Sequence, residues 1–151
     1  MGQADLQGRD VVTLDAEVLL PGPAASATAL ALTAPISFWG GVDPKTGVIA
    51  DPRHPENGQV VTGKILLVPE TVGSSSAAAI LLELVHGNRA PAAIVLHEPD
   101  AILLLGLIVA KEMGYETPIA LRLDRGLFAG LHNRAIEVSR TGVLSYLPPT
   151  I

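Results

Sequence analysis

The sequence predicts an α/β fold built on a mixed sheet or an open barrel with helices, and three observations lead there. The chain is 48 % apolar but only 3 % aromatic, so Ala, Leu, Ile and Val supply the core, as in packed α/β proteins and unlike disordered chains. Between residues 61 and 123, short β-rich apolar runs alternate with longer ones that close on glycine, the rhythm of strand, helix, strand. The segments on either side are β-rich with no comparable helical run. At 151 residues the chain is expected to form a single domain over 1–151, burying about two thirds of the surface its unfolded form exposes.

Each element follows from local chemistry. "VVTLDAEVLL" (11–20) is β-rich, and "PGPAASATALALTAP" (21–35) is biased in composition but too apolar to be a free linker. Residues 37–58 are dense in Gly, Pro, Asp and Asn, which predicts a long ordered loop with one short strand at "GVIA" (47–50). "GKILLVP" reads as a strand ended by Pro69, and a helix is expected from about Ala77 to His86, closed by Gly87. "AAIVLH" (92–97) is a second buried strand. The next helix opens at Pro99 and Asp100, both at home in a first turn, and ends near Lys111 and Gly114. "TPIALRL" (117–123) gives a third strand, so two successive strand–helix–strand units predict right-handed crossovers and parallel neighbours. "AIEVSRTGVLSYL" (135–147) carries a turn at Arg140 to Gly142 suited to a hairpin.

Charge and composition narrow the function. A net charge of −5 with no basic run argues against nucleic acid and anionic membranes, both of which require clustered Lys and Arg. With no cysteine, the chain by itself supports neither disulfides nor a cysteine-held iron–sulfur site. The most apolar stretch, "AILLLGLIVA" (101–110), is about half the ~20 residues that span a bilayer. "MGQADLQGRD" has neither the charge nor the apolar run of a secretory signal, so a cytoplasmic location is expected.

The candidate site centres on "PETVGSSSAAAILLELVHG" (69–87). A strand that ends in a glycine turn and feeds a helix leaves N–H groups unpaired at the helix start, where they and the dipole favour an anion. Gly73 lets a ligand approach the backbone, and a hydroxyl among Ser74, Ser75 and Ser76 held near such donors is partly stabilised as an alkoxide, the form a serine base requires. Serine is equally a favoured N-cap, so one of the three is expected to serve only that purpose. In "SFWGGVDP" (37–44), Gly40 and Gly41 permit close backbone approach, Trp39 could wall off water, and Asp43 could orient a positive group or simply bond its own turn before Pro44. Asp51, Arg53 and His54 sit among turn formers, which predicts an exposed subunit-contact loop. The four histidines, His54, His86, His97 and His132, lack metal-ligand spacing. His86 suits a helix end, and His97 beside Glu98 could form a carboxylate–imidazole pair near the sheet edge, although a structural histidine is the simpler reading.

Residues 35 to about 120, including "SFWGGVDP", "GSSS" and "APAAIVL", closely resemble the small, swivelling part of the aconitase X enzymes. The resemblance implies a swivelling β/β/α fold and a hydro-lyase in which a large partner subunit, forming a heterodimer or higher assembly, holds an iron–sulfur cluster that acts as Lewis acid on the departing hydroxyl. It implies as substrate a small hydroxy acid, cis-3-hydroxy-L-proline or alternatively 5-phosphomevalonate. In the wider aconitase group the matching turn reads Gly-Ser-Ser-Arg. Carried over, Ser74 is the base, Ser75 a substrate donor, and Ser76 stands where an arginine would bind a carboxylate. The chain departs from the family pattern at Thr71-Val72, where Gly-Arg is usual, and at Ala77, where a glycine is common. With the arginine missing, a phosphate-bearing substrate is the less favoured of the two. A rival of another class is a stand-alone swivel module that binds a ligand or carries a phosphoryl group on an exposed histidine.

Overall fold

The computed structural model describes residues 10–148. The strands are β1 (Val12–Asp15), β2 (Glu17–Leu20), β3 (Ala25–Ala31), β4 (Ile65–Val68), β5 (Ala93–Leu96), β6 (Ile119–Arg122), β7 (Ala135–Val138) and β8 (Val143–Tyr146). The helical segments are a broken turn α1 (Phe38–Gly41), α2 (Ala77–His86), α3 (Ala101–Glu112) and α4 (Phe128–Leu131), the last preceded by a 3-10 turn over Arg125–Leu127. All eight strands join one sheet in the order β1-β8-β7-β3-β4-β5-β6-β2. The run from β3 through β6 is parallel, and the remaining pairs are antiparallel.

The order of the strands dictates the shape. β1 and β2 are the two edges of the sheet, yet only Ala16 separates them in the chain. Laid flat, eight strands would place their edges roughly 34 Å apart, whereas two steps of extended chain reach only about 7 Å. The sheet therefore curls until its edges meet, as an open barrel with a seam at Ala16. Gly142, in the turn between β7 and β8, closes that seam: its carbonyl accepts the Ala16 N–H at 2.8 Å. Its φ is +91°, and a Cβ there would lie 2.6 Å from the Ala16 carbonyl oxygen.

Two apolar layers follow from the period-2 alternation of the strands. Ile65, Leu67, Val95, Ile119 and Leu121 face the inside of the curl together with Phe128 and Leu131 of α4. Leu66, Val68, Ile94 and Leu96 face the other way, under Leu81 and Leu84 of α2 and Leu103 and Leu107 of α3. The central strands are thus apolar throughout because both faces are covered. α3 begins at Asp100, whose Oδ1 accepts the N–H groups of Ile102 and Leu103, each at 3.0 Å. Asp100→Ala removes this cap and is expected to cost about 1 kcal/mol, read as a fall in Tm of about 2–4 °C in thermal unfolding.

The biased segment 21–35, expected not to be a free linker, contains β3, whose small residues cross the middle of the sheet. Two sequence expectations need correction. The "GVIA" strand reduces to isolated bridges, Val42 with Ile49 and Val48 with Val60. The loop carrying Asp51, Arg53 and His54 is not simply exposed: His54 is only 6 % exposed. Its Nδ1 accepts the Glu56 N–H at 3.0 Å, and its Nε2 meets the Ala34 carbonyl at 3.2 Å. His54 therefore fastens that loop to the end of β3. No helix among the described residues is long and apolar enough to cross a membrane.

Candidate active site

The carboxyl ends of the parallel strands, where α/β sheets collect ligands, gather the candidate residues. β4 runs through Pro69 and Glu70 into the serine turn and α2, β5 runs through His97 and Glu98 into α3, and β6 ends at Arg122. The Arg122 Nε donates to the His97 carbonyl at 2.9 Å, tying the last two loops together.

The serine turn leaves the sheet through a parallel bridge between Ile36 and Thr71. The Ile36 N–H donates to the Glu70 carbonyl at 3.1 Å and the Val72 N–H to the Ile36 carbonyl at 2.9 Å. This bridge brings the segment before α1 alongside the turn, and α1 packs on α2. Trp39, Gly40 and Gly41 are thus carried to the same region as Ser74, although they lie more than 30 residues away in sequence.

Within the turn, the Ser74 Oγ accepts the Ser76 N–H at 3.2 Å and the Ser74 carbonyl accepts the Ala77 N–H at 3.1 Å. Ser76 precedes α2 with helical φ and ψ, and its side chain makes no capping bond. Capping has moved upstream to Ser74, and the N–H groups of Ser75, Ala78 and Ala79 find no acceptor among the described residues. Three such donors at the positive end of a ten-residue helix are what an anion would need. Ser74 is half-buried at its rim, and Ser75 and Ser76 are exposed. A Cβ on Gly73 would meet nothing within 4 Å, so no neighbour in this chain requires a glycine there and the space above it is open.

Trp39 is 60 % exposed. Gly40 holds a φ of +79°, a left-handed conformation that favours glycine, while Gly41 is buried against Ile36. The Asp43 Oδ1 accepts the Lys45 N–H at 2.9 Å, so its carboxylate also folds its own turn.

The histidines hold structure. The Nδ1 of His97 accepts the Arg125 N–H at 3.0 Å while its Nε2 lies 3.6 Å from Glu98, and the Nδ1 of His132 accepts the Ala31 N–H at 3.1 Å. His86 bonds the Tyr115 hydroxyl and meets its ring edge-on. Sequence reasoning missed Thr71, whose hydroxyl donates to Asp100 Oδ2 at 2.7 Å, because the two residues meet only in the folded sheet. With no cysteine in the chain and no three His, Asp or Glu side chains gathered among the described residues, the donor set does not fit a cluster held by this chain alone.

A family model described as the aconitase X swivel domain matches residues 13–145. The chain is 50 % identical over 100 residues to the cis-3-hydroxy-L-proline dehydratase of Pseudomonas aeruginosa, covering 64 % of this chain but only 17 % of that protein. It is 35 % identical over 113 residues to the phosphomevalonate dehydratase small subunit of Methanopyrus kandleri, covering 75 % of each. The crystal structure of aconitase X from Thermococcus kodakaraensis, in its holo-form, superposes with a TM-score of 0.76 at 26 % identity, over 91 % of this chain and 99 % of that one. With its curled mixed sheet, its serine turn and a match that runs nearly end to end, the chain belongs to the aconitase X swivel-domain family.

Proposed function

We propose that the chain acts as one swivel domain, the small serine-bearing part of a hydro-lyase, and removes water from cis-3-hydroxy-L-proline together with a larger partner polypeptide. The observation that carries this reading is the group of N–H donors at Ser75, Ala78 and Ala79 with the Ser74 hydroxyl at its edge. The substrate carboxylate rests on those N–H groups, and the Ser75 hydroxyl donates to it, with Ser76 beside it in the place of the family's arginine. Ser74, as alkoxide, takes the proton from the carbon next to the carboxylate. The electron pair of that C–H bond forms the new double bond as the neighbouring hydroxyl leaves, and the N–H donors hold the charge that builds on the carboxylate. Gly73, Gly40 and Gly41 leave room for the substrate, Trp39 excludes water, and Asp43 orients the substrate ammonium.

A partner is supported from two sides. The matched 100 residues correspond to about one sixth of the Pseudomonas aeruginosa dehydratase, and α3 turns Ile102, Leu105, Ile108 and Val109 outward into water, an apolar surface of the kind that marks protein contacts. The iron–sulfur cluster belongs to that partner in this reading, and the cytoplasm keeps its cysteines reduced. Identity with the archaeal small subunits supports a second substrate, 5-phosphomevalonate. The phosphoryl-carrier alternative finds no support at His54, which is buried with both ring nitrogens hydrogen-bonded.

Purification of the tagged chain from its host, with mass spectrometry of whatever accompanies it in stoichiometric amount, tests the reading. The complex is expected to contain a larger, cysteine-bearing polypeptide and to dehydrate cis-3-hydroxy-L-proline. Activity on 5-phosphomevalonate alone would transfer the assignment to the second substrate, and a partnerless, inactive chain would overturn both.

A further inference from the structure

We infer that α3 positions the serine turn, holding it at one end through the hydrogen bond from Thr71 to Asp100 and at the other through the close contact of Gly106 with Ala78. This rests on the assignment of Ser74 as base and adds positioning residues to it. Every described hydrogen bond made by residues 73–76 stays inside the turn or reaches the first turn of α2: Ser76 N–H to Ser74 Oγ, Ala77 N–H to the Ser74 carbonyl, and Ile80 N–H to the Ser76 carbonyl. The segment is suspended between two fixed points.

The first point is Thr71. Its neighbours bond the Ile36 backbone on one side, and its hydroxyl donates to Asp100 Oδ2 at 2.7 Å on the other. Asp100 cannot swing to follow a shifting turn, because its Oδ1 is held by the N–H groups of Ile102 and Leu103. The second point is Ala78, in the first turn of α2. A Cβ on Gly106 would stand 2.4 Å from the Ala78 carbonyl oxygen, so the two helix backbones touch there with no side chain between them. Both points belong to α3, and the reacting hydroxyl lies between them. Misplacement of such a group by about 1 Å can cost on the order of 100-fold in rate.

Thr71→Val keeps the shape of the side chain and removes only its hydroxyl, while Thr71→Ser keeps the hydroxyl. Amide hydrogen exchange by NMR on the full chain, read at Val72, Ser76, Ala77 and Ile80, is compared with turnover of the assembled enzyme on cis-3-hydroxy-L-proline. Thr71→Val is expected to speed exchange at these amides about five- to tenfold, the loss of roughly one hydrogen bond, with β4 and β5 unchanged. It is also expected to lower kcat at least tenfold with little change in KM, and Thr71→Ser is expected to restore both. Unchanged exchange at the four amides overturns the inference, whatever happens to kcat. Faster exchange with unaltered kcat supports the positioning of the turn by α3 and contradicts instead the assignment of Ser74 as base.

Discussion

Ser74→Ala in the assembled enzyme is expected to lower kcat by about 10² to 10⁴, the contribution of a positioned acid or base, with the complex still forming. The fold loses little, because the Ser74 side chain makes one bond to the chain, from the Ser76 N–H, worth about 1 kcal/mol. The backbone bond from Ala77 to the Ser74 carbonyl survives the substitution and keeps the turn closed. Ser74 Oγ is the hydroxyl that shares its turn with the unpaired donors of α2, so its removal strikes at proton transfer more than at substrate binding. KM should therefore move much less than kcat. Steady-state kinetics of the purified complex, paired with Tm and gel filtration, separates these effects. A uniform loss of stability or of assembly would instead mean that Ser74 serves only as a cap.

Gly106→Ala is expected to destabilise the chain by about 1–3 kcal/mol, the range for overpacking a tight contact. This is the reverse of what local propensity predicts, since alanine in an exposed helix interior gains roughly 1 kcal/mol over glycine. The sign turns on what the new methyl meets: the Ala78 carbonyl oxygen at 2.4 Å and the Ala78 carbonyl carbon and Cα at 3.2 Å. These are backbone atoms, which cannot rotate aside as a side chain would. α2 and α3 must part, and the parting begins in the turn that carries the serines. Thermal unfolding should show a fall in Tm of about 2–12 °C. A rise in Tm would show that the two helices do not touch at this point.

The sequence made some parts of this architecture legible and hid others for physical reasons. α2 and α3 start and stop within a residue or two of their expected limits because Asp100 and Gly87 mark those ends chemically. β4, β5 and β6 were legible as apolar runs because both of their faces are buried. β3 was hidden because Ala25–Ala31 is four alanines alternating with Ser26, Thr28 and Leu30, and alanine is a poor strand former. The parting of β1 from β2 at Ala16 was hidden as well. Nothing local marks it, since it arises from closure of the whole sheet, which sends β1 to β8 and β2 to β6. His54 lies among turn formers and so reads as a surface residue, yet the loop folds back onto Ala34 and buries it. The serine turn itself was legible as a glycine turn with hydroxyls leading into a helix start. The elements that fix it in place were not, because Thr71 and Asp100 are 29 residues apart and come together only through the register of β4 against β5.

The most direct test of Ser74 as the proton-abstracting group follows the proton itself. The assembled enzyme and its Ser74→Ala variant are mixed in a single turnover with cis-3-hydroxy-L-proline deuterated at the carbon next to the carboxylate, and release of deuterium into solvent is timed. The wild-type complex should release one deuteron for each product formed, and the variant should release it more slowly by at least about 100-fold. Release at the wild-type rate from a folded, substrate-bound Ser74→Ala complex would contradict the account and place the base on another residue.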